Sequence, residues 1–118
     1  MHPDESRDPS WRAASPGGEV NFFVYIMASG PHGTLYTGST DNLRKRVYEH
    51  REKVRRGFTA KYGVDKLVWF ETFETRGGAF KRERQIKEWK RRWKVELIEA
   101  MNPEWRDLGE ELNNLLVL

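Results

Sequence analysis

Five side chains in this 118-residue sequence have the types needed to cut a phosphodiester bond: Tyr25, Tyr36, Arg46, His50 and Glu83. Hydrolysis of that bond requires a group that takes a proton from water and a cation that neutralises the phosphorane-like transition state. A hard metal ion usually offsets charge on the leaving oxygen as well. A tyrosine serves as the base when a neighbouring cation lowers its pKa from the usual value of about 10. Arg46 offers a planar, always-charged fork for the phosphate. Glu83 offers a hard oxygen for one Mg²⁺, which typically keeps most of its waters. Each residue also has an ordinary use. Strand tyrosines pack, an arginine decorates a surface or pairs with Glu83, and an inward histidine is commonly a hydrogen-bonded core residue.

The elements that must position these groups are readable in outline. Asn21 to Ala28 is a β-branched and aromatic run of strand length. Ser29 to Gly33 is a turn by composition and Thr34 to Gly38 is the returning strand, so an antiparallel hairpin carries Tyr25 and Tyr36 on its two arms. Thr40 or Asp41 is placed to cap the next helix. Its inner stripe is Leu43, Val47, His50 and Val54, with Arg46 at the border on the same side as His50, four residues on. Gly57 ends this helix and residues 58–63 form a short connection. Lys66 to Phe73 reads as a third strand, apolar enough for a central position.

A helix is expected from near Ala79, with Ala79, Glu83, Ile86, Trp89 or Lys90, Trp93 and Leu97 on one face. Glu83 is the odd carboxylate in that stripe. A break near Trp93 leads to a second helix packing Leu97, Ile98 and Met101 inward. Pro103 stops it, because the residue before proline is pushed out of helical geometry. Trp105 is expected to pack back on the fold.

The totals set bounds. One domain of this length can hold a modest core, and the absence of cysteine excludes disulfides and Cys-based zinc sites. No segment approaches the length needed to cross a membrane and no early apolar run resembles a signal peptide, so a cytoplasmic protein is the expectation. Residues 1–19, with three of the five prolines, read as a disordered leader, residues 20–108 as the domain, and residues 109–118 as a helical turn or frayed tail. Between those ends lie 19 basic and 12 acidic residues, a net of +7 against +3 for the whole chain. The basic residues concentrate in Arg44–Arg56 and Lys81–Lys94, a pattern suited to a polyanion. Arg44, Lys45, Lys53, Arg55, Arg56, Lys61, Arg82 and Lys87 are the candidates to meet nucleic acid.

Together these residues resemble the GIY-YIG nuclease family. Phe23-Val24-Tyr25 corresponds to the first motif and Tyr36-Thr37-Gly38 to the second, with the tyrosines 11 apart as in the family. Arg46 follows Tyr36 by ten within a pattern of Leu43, Arg46 and His50, and Ala79-Phe80-Lys81-Arg82-Glu83 resembles the helix bearing the family's metal-binding glutamate. Phe58-Thr59, Leu67-Val68, Lys87-Glu88-Trp89-Lys90-Arg91 and the run from Asn102 to Leu108 resemble small stand-alone bacterial members described as endonucleases. Phe23 and Thr37 replace the glycine and isoleucine of the two motifs, which spares every proposed catalytic side chain.

The resemblance implies an α+β fold: a three-stranded, mainly antiparallel sheet flanked by helices in the order ββαβα plus a final helix. It implies a Mg²⁺- or Mn²⁺-dependent endonuclease acting on nucleic acid, with DNA as the expected substrate and DNA repair as one setting. Tyr25 or Tyr36 would deprotonate water, Arg46 would hold the phosphate, and Glu83 would bind a single divalent metal. His50 would be auxiliary, and Asn102 would stand in for a late asparagine. Family members that cut particular sequences or lesions borrow targeting from appended domains, so a targeting partner protein is a further expectation. A nucleic-acid-binding module that does not cut by itself, and a protein-binding domain built on Trp69, Trp89, Trp93 and Trp105, are the readings from other classes.

Overall fold

A computed structural model of the chain describes residues 21–52 and 57–117. The expected N-terminal leader, and with it Lys53, Val54, Arg55 and Arg56, lie outside the described residues. The fold is α+β. Strands β1 (Phe22–Ala28) and β2 (Leu35–Thr40) form the hairpin, followed by α1 (Leu43–Arg51), a single turn α2 (Phe58–Lys61), β3 (Lys66–Phe73), α3 (Arg76–Lys87), α4 (Arg91–Met101) and α5 (Leu108–Val117). The strand order is β2-β1-β3, and both pairings are antiparallel.

β1 is the centre of the sheet, and β3, expected there, is an edge strand. The apolar density of β3 has another cause, since helices cover both of its faces. Alternation along β1 sends Val24, Ile26 and Ala28 into a cluster with Ala79, Ile86, Leu97 and Ile98 of α3 and α4. Tyr25 and Met27 enter a second cluster with Leu43, Val47 and Leu108 of α1 and α5. In β3, Leu67 joins the second cluster, while Val68 and Trp69 both join the first. Two successive residues share a face because the register slips at Ile26/Met27, which pair with Trp69 and Leu67 and leave Val68 as the extra residue of a bulge.

The helix starts are set by side-chain caps. Asn42, rather than Thr40 or Asp41, caps α1, its Oδ1 accepting from Lys45 N at 3.1 Å. Thr40 instead accepts from Asn42 N at 3.0 Å and so shapes the entry to the cap. Thr75 accepts from Gly78 N at 3.0 Å, so α3 begins at Arg76, three residues before Ala79. The break falls at residues 88–90 rather than at Trp93, because Lys90 is extended (ψ 149°) and α4 restarts at Arg91. Leu97 and Ile98 pack inward as expected, but Met101 is exposed at the last turn. α4 ends at Met101, just before Asn102-Pro103. Trp105, with φ +57°, folds back into the first cluster as expected.

The segment after Leu108 is part of the fold. Asp107 Oδ1 accepts from Gly109 N at the start of α5 and from Leu67 N of β3, and its Oδ2 pairs with Arg51 of α1 at 2.8 Å. One carboxylate thus ties three elements, and Leu108 and Leu112 pack on the second cluster. No helix among the described residues is long and apolar enough to cross a membrane.

Candidate active site

The hairpin register places Tyr25 opposite Gly38, and Met27 opposite Tyr36. Both tyrosines therefore sit on the α1 side of the sheet, with ring centroids 6.3 Å apart. Gly38 is there for space. A Cβ at that position would lie 2.7 Å from the Tyr25 hydroxyl, 2.8 Å from Cζ of the same ring and 3.1 Å from the Tyr36 ring. Tyr25 thus lies across bare backbone of the edge strand, itself buried (1% exposed).

α1 closes this face. His50 Nε2 is 3.3 Å from the Tyr25 hydroxyl, and the imidazole stands edge-on to Tyr25 at 5.8 Å and tilted against Tyr36 at 5.4 Å. His50 therefore links the two tyrosines directly. Arg46 lies one turn earlier on the same side of the helix. Its Nε pairs with Glu49 at 3.6 Å, and the two outer guanidinium nitrogens make no hydrogen bond or ion pair among the described residues. The alternative partner considered for Arg46, Glu83, is engaged elsewhere.

Glu83 comes from the opposite face. Ser39, next to Gly38, points to the α3 side by the pleat, and its hydroxyl donates to Glu83 Oε1 at 2.5 Å. Glu83 Oε2 pairs with Lys87 Nζ, one turn on, at 2.7 Å. The Glu83 side chain is 12% exposed, so its carboxylate is held against β2 without being sealed from solvent. The two halves of the predicted constellation thus meet at the Gly38–Ser39 step of an edge strand. The tyrosines and His50 lie on one face, and Glu83 is on the other.

The donor chemistry at Glu83 suits a hard divalent cation. No cluster of three or more metal-ligating side chains occurs among the described residues. The site accordingly presents one carboxylate with a hydroxyl beside it, which fits an ion that keeps most of its waters. A soft or tetrahedral metal would need more protein ligands.

Two expected site residues are placed otherwise. Arg82, grouped with the nucleic-acid contacts, is buried at 6% exposure on the inner face of α3. Its Nε donates to Glu71 Oε1 at 3.1 Å, its Nη1 donates to Gln85 at 2.6 Å, and its guanidinium lies 5.2 Å from the Trp89 ring centre. Asn102, expected as an auxiliary, is 1% exposed and wholly committed to the fold. Its Nδ2 donates to Val68 O and Arg106 O, and its Oδ1 accepts from Arg106 N. Both donors and one acceptor site of that amide are spent on joining β3 to the loop before α5. Arg44 and Lys45 are exposed and line a groove between α1 and α5 with Tyr48 and Arg51. Lys61 is exposed beside the Tyr62 ring.

The two contacts that hold Glu83 are additions to the sequence-based expectations. Ser39 lies within the second motif, but its link to Glu83 spans 44 residues and needs the fold. The Lys87–Glu83 pair, by contrast, was legible as an i, i+4 spacing.

Gly38→Ala tests the packing. The added methyl must displace the Tyr25 ring or spread the hairpin, so cleavage is expected to fall by roughly 10²-fold. Stability is expected to fall by about 1–3 kcal/mol. Cleavage rate and urea unfolding are the readouts, and a variant equal to the parent in both would refute the crowding.

The model of the GIY-YIG catalytic domain family matches residues 21–96. A UPF0213 protein of Clostridium perfringens is 36% identical over 91 residues, 77% of this chain and 97% of that protein. One from Syntrophus aciditrophicus is 41% identical over 83 residues, 70% of this chain and 93% of the relative. Among solved structures, the solution NMR structure of a UPF0213 protein from Bacillus halodurans matches with a TM-score of 0.47 and 26% identity. That match covers 74% of this chain and 92% of the other.

Proposed function

Because the chain belongs to the GIY-YIG family, we propose that it is a metal-dependent endonuclease that hydrolyses phosphodiester bonds in nucleic acid, DNA in the first instance. The observation that carries this reading is the convergence on one β2 step of Tyr25, Tyr36 and His50 from one face and Glu83 from the other.

In the proposed reaction a water oxygen attacks phosphorus and the P–O bond to the leaving sugar oxygen breaks. Tyr25 takes the proton from water. Its own hydroxyl proton passes to His50 Nε2, 3.3 Å away, in the tautomer that carries the ring proton on Nδ1. That contact favours Tyr25 over Tyr36 as the base, since no hydrogen-bond partner of the Tyr36 hydroxyl occurs among the described residues. Tyr36 instead braces the imidazole by ring contact. Arg46 meets the non-bridging oxygens with its outer edge, where charge grows in the transition state. Glu83 would hold Mg²⁺ or Mn²⁺, which when bound supplies charge compensation at the leaving oxygen. Exposed Arg44, Lys45 and Lys61 on the α1–α2 side would meet neighbouring phosphates, with Lys53, Arg55 and Arg56 assigned to the same role from sequence.

The test is a panel of labelled single-stranded, duplex, flap and branched DNA, with RNA counterparts, incubated with Mg²⁺, Mn²⁺ or EDTA over a range of salt. Metal-dependent cutting of at least one member is expected, abolished by EDTA and weakening steeply with salt as counterion release competes. Tight, salt-sensitive binding with no cutting of any member would replace this reading with the recruited binding module. Absence of both would leave the protein-binding reading.

A further inference from the structure

We infer that Lys87 gates the Glu83 site: its ammonium occupies the carboxylate until a divalent cation displaces it, and its charge then makes cation binding depend on an anion at the site. The inference rests on the reading of Glu83 as a metal ligand and adds how that site is loaded.

Both oxygens of Glu83 are engaged, but unequally. Oε1 accepts from the neutral Ser39 hydroxyl, which can rotate, whereas Oε2 faces a full positive charge at 2.7 Å. Lys87 is half exposed (49%) on a flexible four-carbon stem, so lifting it off the carboxylate costs little. It cannot go far, because the i, i+4 register keeps the ammonium within a side chain's length of Glu83.

A dication arriving at Glu83 meets in Lys87 a rival for the carboxylate and, once that ammonium is displaced, a like charge held close by. A phosphate between the dication and the displaced ammonium attracts both. By linkage, metal and anion then raise each other's affinity by the same factor.

The experiment is a Mn²⁺ titration followed by electron paramagnetic resonance on the parent, Lys87→Gln, Lys87→Arg and Glu83→Gln. Each is run alone and with a DNA oligonucleotide carrying phosphorothioate at every linkage. Without DNA, Lys87→Gln is expected to bind Mn²⁺ roughly tenfold more tightly than the parent. Lys87→Arg, which keeps the charge, is expected to match the parent. DNA is expected to tighten Mn²⁺ binding several-fold in the parent and distinctly less in Lys87→Gln, on the same Coulomb argument. Equal DNA-free affinity in Lys87→Gln and the parent would overturn the gate, as would equal enhancement by DNA. Glu83→Gln separates the two levels. If it binds Mn²⁺ as the parent does, the ligand assignment itself falls. If it loses binding while Lys87→Gln is unchanged, only the gate falls.

Discussion

Glu83→Gln is expected to lower cleavage by 10²–10³-fold or more, on the order seen when one preorganised electrostatic contact to the transition state is removed. The fold should survive. Glutamine is nearly isosteric, its carbonyl can still accept from Ser39, and the lost Lys87 pair joins a half-exposed lysine to a helix neighbour. Pairs of that kind contribute at most about 1 kcal/mol. The expected result is thus an inactive protein with a parental urea midpoint. Parental cleavage by Glu83→Gln would remove Glu83 from the chemistry. A large loss of stability would instead reassign it to the structure.

The neighbouring residue should behave in the opposite way. Arg82→Met is expected to cost about 3–5 kcal/mol of unfolding free energy, because it removes the guanidinium paired with the Glu71 carboxylate, 4% exposed, in the interior. Against a total of roughly 5–15 kcal/mol for a domain of this kind, that is a large share. Replacing both partners in Arg82→Met/Glu71→Met should recover much of the loss, since a buried pair exchanged for apolar side chains of similar volume is often neutral. DNA affinity, measured where the single variant is still folded, should stay at the parental value. A surface phosphate contact would give the reverse pattern, with stability intact, affinity reduced and a shallower salt dependence. Urea unfolding and a salt-titrated binding curve separate the two.

Adjacent residues with such different roles mark how far pattern reading extends. A helix turns about 100° per residue, so neighbours face different ways. By spacing, Glu83 is the inward member of the stripe and Arg82 part of the basic surface. In the structure Ala79, Arg82 and Ile86 are the buried positions of α3, and Glu83 stands at the edge of that face, where it reaches β2. The stripe itself is in phase, since Ala79, Ile86 and Trp89 are buried as spacing predicts, but a 3.6-residue period allows either i+3 or i+4 after Ala79, and packing against Glu71 selects Arg82. Asn102 illustrates a different limit. Its type and its place before Pro103 said that a helix ends there, but its three hydrogen bonds to Val68 and Arg106 exist only once β3 and the loop are assembled.

Local chemistry was enough for the hairpin, the third strand, the stop at Asn102-Pro103 and the identities of the chemical groups. β-branched and aromatic runs, turn residues and proline act over a few neighbours, and the spaced motifs carried the family resemblance and the α+β class with it. Tertiary structure decided what depends on contacts between distant segments. It put β1 rather than β3 at the centre of the sheet, because pairing is chosen among strands and apolar content reports only coverage. It set the Tyr25 ring over Gly38 through cross-strand register, and it brought His50 to that hydroxyl across 25 residues. It also divided one predicted cluster between the two faces of an edge strand, since the pleat turns Gly38 toward Tyr25 and Ser39 toward Glu83.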